Sequence, residues 1–256
     1  MSIFCSLTSG SKGNSAIYIK ENTRILIDAG TTTKYITGCL RELGLRPADL
    51  TRIVLTHAPS DHVSALPVLL KQTDAQIVCT ETTWDLLPAK KGDPFLFEAG
   101  SRFALGDVEI RTAPTPHDCL GSCCYSFGER EESLAYCTDM GAVTADIFEL
   151  MRRCKNLFIE SNHDIDMLKA GPYPYHLKQR VLSNRGHLSN VDCAHIVSRL
   201  ALGGVERVML GHLSEVNNLP GIALRENRKA LQSLDLPEEI VIGAAGARQM
   251  MKPMEL

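Results

Sequence analysis

The stretch from Ile53 to His62 constrains the architecture of this chain more than any other part of the sequence. It begins with the aliphatic run Ile53–Leu55, which predicts a short buried strand. His57, Asp61 and His62 follow where the apolar run stops. A strand that fixes the backbone before a loop carrying imidazoles and a carboxylate is a common way to hold zinc, iron or manganese. The alternative interpretation is a surface loop with two unrelated histidines.

Ligand-type residues also follow four later predicted strands. His117 follows the strand that ends at Ala113, Asp139 follows Leu134–Cys137, His163 follows Leu157–Glu160, and His212 follows Val208–Leu210. Because strand ends converge on one rim of a sheet, these side chains are expected to meet in a single site. The repetition favours a metal site over the surface-loop alternative.

The rest of the chain predicts an α/β fold. Its 256 residues, 44% of them apolar, suit one domain, residues 1–256, with a sizeable core. Further strands are predicted at Ile3–Leu7, Ala16–Lys20, Arg24–Ile27, Ile77–Thr80, Phe95–Phe97, Arg102–Leu105, Val108–Ala113, Cys123–Phe127 and Ile240–Ile242. Helices are predicted over Thr32–Leu43, over Val63–Lys71, and from an N-cap at Ser189 to about Leu202. Two sets of strands, each with its own helices, indicate two packed sheets flanked by helices.

Composition excludes several classes of protein. A net charge of −3 argues against a broad basic surface for nucleic acid, so any such contact is expected to be local. The helix end with Arg152, Arg153 and Lys155 is interpreted as solvated rather than as a DNA-backbone contact. No signal peptide is recognised, and no apolar run approaches the roughly 20 residues that span a bilayer. Nine cysteines without a CxxC motif predict reduced, mostly buried thiols in a cytoplasmic protein.

The order of the ligand-type residues resembles that of a known family. An H-x-x-x-D-H loop, a lone histidine, an aspartate after a strand and a late histidine are the pattern of the metallo-β-lactamase superfamily. The segments Ser9–Asn14, Ile27–Gly30, Glu160–Asp164, Gly186–Asn190 and His212–Asn218 are similar to its YycJ/WalJ-type branch. The resemblance implies a four-layer αββα sandwich with a metal centre on the rim between the sheets. It also implies a bacterial cytosolic hydrolase with phosphodiesterase or DNA exonuclease activity.

The resemblance further implies two metal positions. His57 and His117 match ligands of the first, Asp61, His62 and His212 match ligands of the second, and Asp139 would bridge both. One or two divalent cations per chain are expected, with zinc favoured over manganese or iron. Two adjacent cations can activate a water molecule and stabilise both the entering and the leaving oxygen of a phosphoryl group.

One position departs from the family pattern. The family loop reads H-x-H-x-D-H, and its middle histidine falls on Pro59, whose side chain has no donor atom. Proline also restricts Ala58 to extended conformations, which would alter the path of the loop. The first position keeps three protein ligands, a number that still suffices for a catalytic zinc site.

Candidate catalytic residues are Asp61 and His187, with His187 binding a substrate phosphate or delivering a proton to the leaving group. Ser11, Asn14 and His163 are candidate substrate-binding residues. The glycines of the Ser9–Asn14 segment would let backbone N–H groups approach an anion, although a plain turn is an equal alternative. His163 is also compatible with a structural role, and Asp28 is expected to orient a metal ligand.

Three functions follow. The first is a metal-dependent phosphodiesterase, and specifically a nuclease, with a phosphodiester or nucleic-acid substrate and no membrane partner. The second is a hydrolase of thioesters or lactones, because the same centre polarises a carbonyl group equally well. The third is a binding or regulatory protein in which the loss of a histidine at position 59 has weakened catalysis.

Overall fold

The computed structural model describes residues 1–234 and 239–256, in which the strands form two sheets. In chain order the strands are β1 (Ser2–Thr8), β2 (Ser15–Lys20), β3 (Thr23–Ile27), β4 (Arg52–Val54), β5 (Gln76–Thr80), β6 (Phe95–Phe97), β7 (Arg102–Leu105), β8 (Val108–Pro114), β9 (Cys123–Phe127), β10 (Leu134–Cys137), β11 (Asn156–Glu160), β12 (Arg207–Gly211), β13 (Val241–Ala244) and β14 (Met254–Glu255). The helices are α1 (Thr33–Glu42), α2 (Ser60–Val63), α3 (Leu66–Leu69), α4 (Glu81–Leu86), α5 (Ala145–Met151), α6 (Ile165–Ala170), α7 (Tyr175–Val181), α8 (Asn190–Ala201) and α9 (Pro220–Gln232).

Both sheets have seven strands and a mixed topology. The first has the order β14-β1-β2-β3-β4-β5-β6, and the second has the order β13-β12-β11-β10-β9-β8-β7. In the first sheet, β3, β4, β5 and β6 are parallel neighbours. In the second, β10, β11, β12 and β13 are parallel neighbours. Parallel neighbours end at the same edge, so each sheet brings several strand-end loops together.

Three apolar clusters separate four layers. Side chains between the sheets include Phe4, Tyr18, Phe127, Tyr136 and Phe158, all at most 1% exposed. The outer face of the first sheet buries the apolar sides of α1 and α3. The outer face of the second sheet buries those of α5, α8 and α9. The arrangement is the four-layer αββα sandwich that the sequence predicts, and each large buried side chain contributes about 1.5–3 kcal/mol to it.

The predicted helix over Val63–Lys71 is wrong. The chain instead forms the two short helices α2 and α3, with Pro67 in the first turn of α3. Proline suits a first helical turn because its missing N–H has no partner there, but it disfavours a helix that continues through it. The predicted strand at Ile240–Ile242 lies slightly later, at Val241–Ala244.

Two other sequence features are as expected. Ser189 is the N-cap of α8, and its hydroxyl accepts a hydrogen bond from the Asp192 N–H at 3.1 Å. All nine cysteines are free thiols, and eight of them are buried. Across residues 1–234 and 239–256, no helix has both the length and the apolar composition needed to cross a membrane.

Candidate metal centre

Several ligand-type residues lie immediately after strands in an unusual backbone conformation. Asp28 follows β3, Asp139 follows β10 and His212 follows β12, with φ angles of 57°, 57° and 53°. Few residues other than glycine adopt this left-handed region, and those that do concentrate at functional sites. The sharp turn at each strand end directs these side chains to the rim between the two sheets.

The structure brings together all six residues that the sequence predicts as metal ligands. Two groups have ligand atoms that lie within 4.8 Å of one another: His57, His117 and Asp139, and Asp61, His62 and His212. Asp139 lies between the two groups. Its Oδ2 is 3.2 Å from Nε2 of His62, and its Oδ1 is 3.4 Å from Nε2 of His212 and 4.0 Å from Nε2 of His117.

Hydrogen bonds orient three of the imidazoles toward Asp139. Nδ1 of His62 lies 2.8 Å from Oδ2 of Asp28, and Nδ1 of His212 lies 2.9 Å from Oε1 of Glu160. Nδ1 of His117 lies 3.2 Å from the carbonyl oxygen of Gly186. In each ring Nδ1 donates to an oxygen when the ring is neutral, so the lone pair is on Nε2. The expected role of Asp28, to orient a ligand, is consistent with this geometry, which is usual for metal-binding histidines.

The acidic groups of the cluster control its protonation. Burial alone would lower the pKa of His62, but the carboxylates of Asp28 and Asp139 raise it well above its ordinary value. Burial also opposes the charge of His212, yet Asp139 and Glu160 raise its pKa to about 9. Burial favours the neutral form of Asp139, but the imidazoles of His212 and His62 hold its pKa well below the ordinary value. A bound cation would therefore replace protons that the cluster attracts.

These residues fit a divalent metal. Asp139 and His212 are 3% and 2% exposed. Among the described residues, Asp139 Oδ2 and His212 Nε2 have no partner in hydrogen-bond geometry. Buried polar atoms are rarely left unpaired, so these two atoms are suited to binding a cation. Imidazole nitrogen and carboxylate oxygen are donors that zinc, manganese and iron accept.

Pro59 adopts an extended conformation at the start of α2. It is the N-cap of α2 with φ −61° and ψ 155°, and its carbonyl oxygen accepts a hydrogen bond from the His62 N–H at 2.9 Å. Asp61 and His62 therefore still reach the rim. The first metal position lacks the histidine that the family pattern has at position 59. At this position Oδ1 of Asp118 lies 3.3 Å from Nε2 of His117.

His187 borders the metal centre and is partly open to solvent. Its side chain is 21% exposed, and its Nδ1 lies 2.7 Å from Oε1 of Glu160 and 3.8 Å from Oδ1 of Asp139. Its ring stacks on His212 with centroids 5.2 Å apart. Since Glu160 holds Nδ1, the other ring nitrogen is free to face a ligand at the rim.

Glu160 is the functional residue that sequence reasoning did not single out. It is fully buried, and its carboxylate contacts His187, His212 and the Met140 N–H. Burial would raise its pKa, but the imidazoles of His187 and His212 lower it to about 2, so the carboxylate is ionised. Its place at the end of a predicted strand was the available signal, because Asp28 and Asp139 also lie at strand ends.

The Ser9–Asn14 segment forms hydrogen bonds with the loops that carry Asp61 and His212. The Ser9 hydroxyl accepts a hydrogen bond from the His212 N–H at 2.7 Å, and the Asn14 N–H donates to the Asp61 carbonyl at 2.8 Å. Gly30 makes this packing possible, because a Cβ there would lie 1.6 Å from the Asp61 carbonyl oxygen. The segment therefore fixes the position of two loops that carry ligands.

Two predicted substrate-binding residues, Asn14 and His163, are buried, and their substrate-binding role stays a prediction. Asn14 is 0% exposed, and its Nδ2 lies 3.0 Å from Nε2 of His62. His163 is 1% exposed, and burial lowers its pKa to about 4, so its ring is neutral. Both side chains are thus closed to solvent in this geometry. Ser11 is exposed, and its predicted role is untested.

Comparison with known proteins identifies a family and relatives for this chain. A family model described as a β-lactamase superfamily domain matches residues 23–213. Exodeoxyribonuclease WalJ of Streptococcus pneumoniae is 33% identical over 237 residues, which cover 90% of this chain and 88% of that protein. Exodeoxyribonuclease YycJ of Bacillus anthracis is 31% identical over 225 residues, covering 86% and 85%.

Solved structures share the fold. The crystal structure of the metallo-β-lactamase fold protein YhfI from Bacillus subtilis matches with a TM-score of 0.72 at 12% identity, covering 98% of each chain. At that identity the likeness concerns the fold alone. It agrees with the two sheets and flanking helices described above.

Proposed function

We infer that this chain, which belongs to the β-lactamase superfamily and to its WalJ/YycJ branch, is a metal-dependent hydrolase of phosphodiester bonds that acts as a DNA exonuclease. The observation that carries the proposal is the convergence of His57, His62, His117 and His212 around the carboxylate of Asp139. The two exodeoxyribonucleases that align with most of this chain support the choice of substrate.

A divalent metal is proposed as the cofactor, with zinc favoured because imidazole and carboxylate donors predominate. His57, His117 and Asp139 would hold it in the first position, and Asp61, His62, His212 and Asp139 in the second. When bound, the metal supplies an acidified water molecule and stabilises charge on the phosphoryl oxygens.

The chain's own groups would complete the reaction around a bound phosphodiester. Asp61 is the exposed acid of the centre, at 28% side-chain exposure, with its Oδ2 3.6 Å from Nε2 of His62. We propose that it orients the attacking water. His187 carries a proton to the leaving oxygen from the ring nitrogen that faces the rim. Glu160 keeps that ring in place through its contact with Nδ1.

A nuclease assay tests this function. Purified protein with added zinc or manganese is expected to shorten single- or double-stranded DNA from an end, and chelation with EDTA should abolish the reaction. Labelled oligonucleotides resolved on a denaturing gel would show whether cleavage starts at a terminus. Turnover of thioesters or lactones without any cleavage of DNA or of simple phosphodiesters would favour the carbonyl-hydrolase alternative instead.

A second prediction concerns His187. The variant His187→Asn keeps a donor toward Glu160 but cannot deliver a proton, so DNA hydrolysis is expected to slow by roughly 100-fold. Hydrolysis of a phosphodiester with a nitrophenolate leaving group should slow much less, because that group departs without a proton. Rates for both substrates would be compared in parent and variant.

His195→Asn provides the matched control, since His195 is an exposed histidine on α8 that makes no contact with the metal cluster. It should leave both rates unchanged. Equal losses on both substrates for His187→Asn would rule out proton delivery and would assign His187 to substrate or metal binding.

A further inference from the structure

We propose that a cavity on the second sheet, away from the metal centre, is a binding site for phosphate groups. The cavity has a volume of about 430 Å³. Its lining includes the four arginines Arg111, Arg130, Arg152 and Arg153, together with Ser126, Ser133, Gly128, Glu129 and Cys154. No part of the proposed catalytic machinery contributes to it.

The cavity lies at the edge of the sheet opposite to the metal centre. Ser133 immediately precedes β10, and Cys154 lies two residues before β11. Asp139 and Glu160, in contrast, lie at the far ends of these two strands. With a rise of about 3.3 Å per residue, the two sites are roughly 20 Å apart along the strands.

Neighbouring carboxylates hold three of the guanidinium groups in place. Nε and Nη2 of Arg111 lie 3.0 and 2.7 Å from Oε1 of Glu109. Nε and Nη2 of Arg153 lie 2.8 and 2.6 Å from Oε1 of Glu149, which also binds Arg152. A guanidinium has five N–H donors, so each of these groups keeps donors for a second anion. Their conformational entropy is already reduced before a ligand arrives, which favours binding.

The lining carries four guanidinium groups and one carboxylate, although the whole chain has a net charge of −3. Glu109 and Glu149 offset part of the positive charge of three of these guanidinium groups. Among the described residues the side chain of Arg130 has no ion-pair partner. The acidic lining residue, Glu129, has an oxygen 3.5 Å from Nη2 of Arg102 outside the cavity. Burial raises the pKa of Cys154 to about 12, so the thiol is neutral and adds no negative charge.

Phosphate is the anion that this lining suits. Guanidinium groups bind phosphate oxygens through paired N–H donors, which gives stronger and more directional contacts than a lysine does. The buried serines Ser126 and Ser133 also line the cavity, and the Ser133 hydroxyl donates a hydrogen bond to the Arg130 carbonyl. The phosphate can belong to the backbone of a nucleic acid or to a free nucleotide. The choice of nucleic acid as the ligand rests on the proposed function, whereas the binding of a phosphate group does not.

Binding measurements on the full-length protein test the proposal. The double variant Arg130→Gln/Arg153→Gln removes two guanidinium groups from the cavity. Anisotropy of a labelled single-stranded oligonucleotide would be measured in EDTA, which prevents cleavage and empties the metal centre. The variant is expected to bind about tenfold more weakly, and the slope of log K against log salt should fall by about 1.4, for two lost phosphate contacts. Calorimetry with inorganic phosphate and with a deoxynucleoside monophosphate forms the second arm.

The matched control is Arg225→Gln/Arg228→Gln, which removes two exposed arginines of α9 and the same charge. Loss of oligonucleotide affinity beyond this control identifies a nucleic-acid backbone as the ligand. Loss confined to phosphate or the mononucleotide identifies a free nucleotide. If neither ligand distinguishes the cavity variant from the control, the proposal is wrong. Because neither arm requires cleavage, a protein that binds here but does not cut DNA would refute the proposed activity alone.

Discussion

The variant Asp139→Asn is expected to lose bound metal and to hydrolyse phosphodiesters on the order of 10⁴-fold more slowly than the parent. Asp139 belongs to the group with His57 and His117, and its carboxylate oxygens lie 3.2 Å from Nε2 of His62 and 3.4 Å from Nε2 of His212 in the other group. Asparagine has nearly the same shape but no charge, and it offers one oxygen where the carboxylate offers two. Both proposed metal positions would therefore be weakened by a single substitution.

Metal content and rate should be measured on the same preparation of this variant, after dialysis against metal-free buffer. Asp146→Asn is the matched control, because Asp146 is an exposed aspartate in the first turn of α5. The control should keep the parent's metal content and rate. Two metals and a near-parental rate in Asp139→Asn would contradict the assignment of Asp139 as a bridge.

The metal-free form should also respond to this substitution. His62 and His212 have raised pKa values partly because Asp139 faces them. Without the Asp139 carboxylate the pKa values of both imidazoles should fall. The metal-free centre would then keep fewer favourable charge interactions. The centre thus depends on Asp139 whether a proton or a metal occupies it.

Most of this centre was predictable because its signals are local. His57, Asp139 and His212 each follow an apolar run that forms a strand, and strand ends are where an α/β fold places its ligands. The two-sheet sandwich could likewise be predicted from the number and spacing of the apolar runs. Burial of alternating or continuous apolar residues determines these elements without reference to the rest of the chain.

Other features depend on tertiary neighbours and were therefore missed or mistaken. Glu160 matters because β11 lies between β10 and β12, so its carboxylate reaches two histidines from distant parts of the sequence. Asn14 and His163 carry polar groups suited to a substrate, but their burial depends on tertiary packing and is not evident from the sequence. The predicted helix over Val63–Lys71, in contrast, was wrong although Pro67 gave a local signal for the break between α2 and α3.

The second large effect is expected at Pro59, where histidine should restore a metal ligand. In the parent, the first position has His57, His117 and Asp139, and we expect it to be partly empty or easily stripped. Loss of a residue that merely orients a ligand already costs 10–100-fold in affinity, so regaining a direct ligand should tighten binding more than about 100-fold. Pro59→His should raise metal content from about one toward two per chain. The rate of phosphodiester hydrolysis should increase with it, and the parent should respond more strongly to added metal.

The backbone at position 59 permits this substitution. A φ of −61° and a ψ of 155° suit histidine, and the carbonyl that binds the His62 N–H is retained. Removing proline from a loop costs only about 0.4–1 kcal/mol through the unfolded chain. Pro67→His is the control, since Pro67 is an exposed proline of α3 in the same region.

Two tightly held metals in the parent would contradict the expected uneven occupancy. In that case Asp118 is the residue that would replace the absent histidine as a metal ligand, because its Oδ1 lies 3.3 Å from Nε2 of His117. The Arg180 guanidinium and the neighbouring His117 hold the pKa of Asp118 below its ordinary value against the opposing effect of burial, so this carboxylate is available as a charged donor. In that case Asp118→Asn, and not the parent, should hold a single metal. Comparing the metal content of the parent, Pro59→His and Asp118→Asn therefore decides whether this chain lost a ligand at position 59 or moved it to position 118.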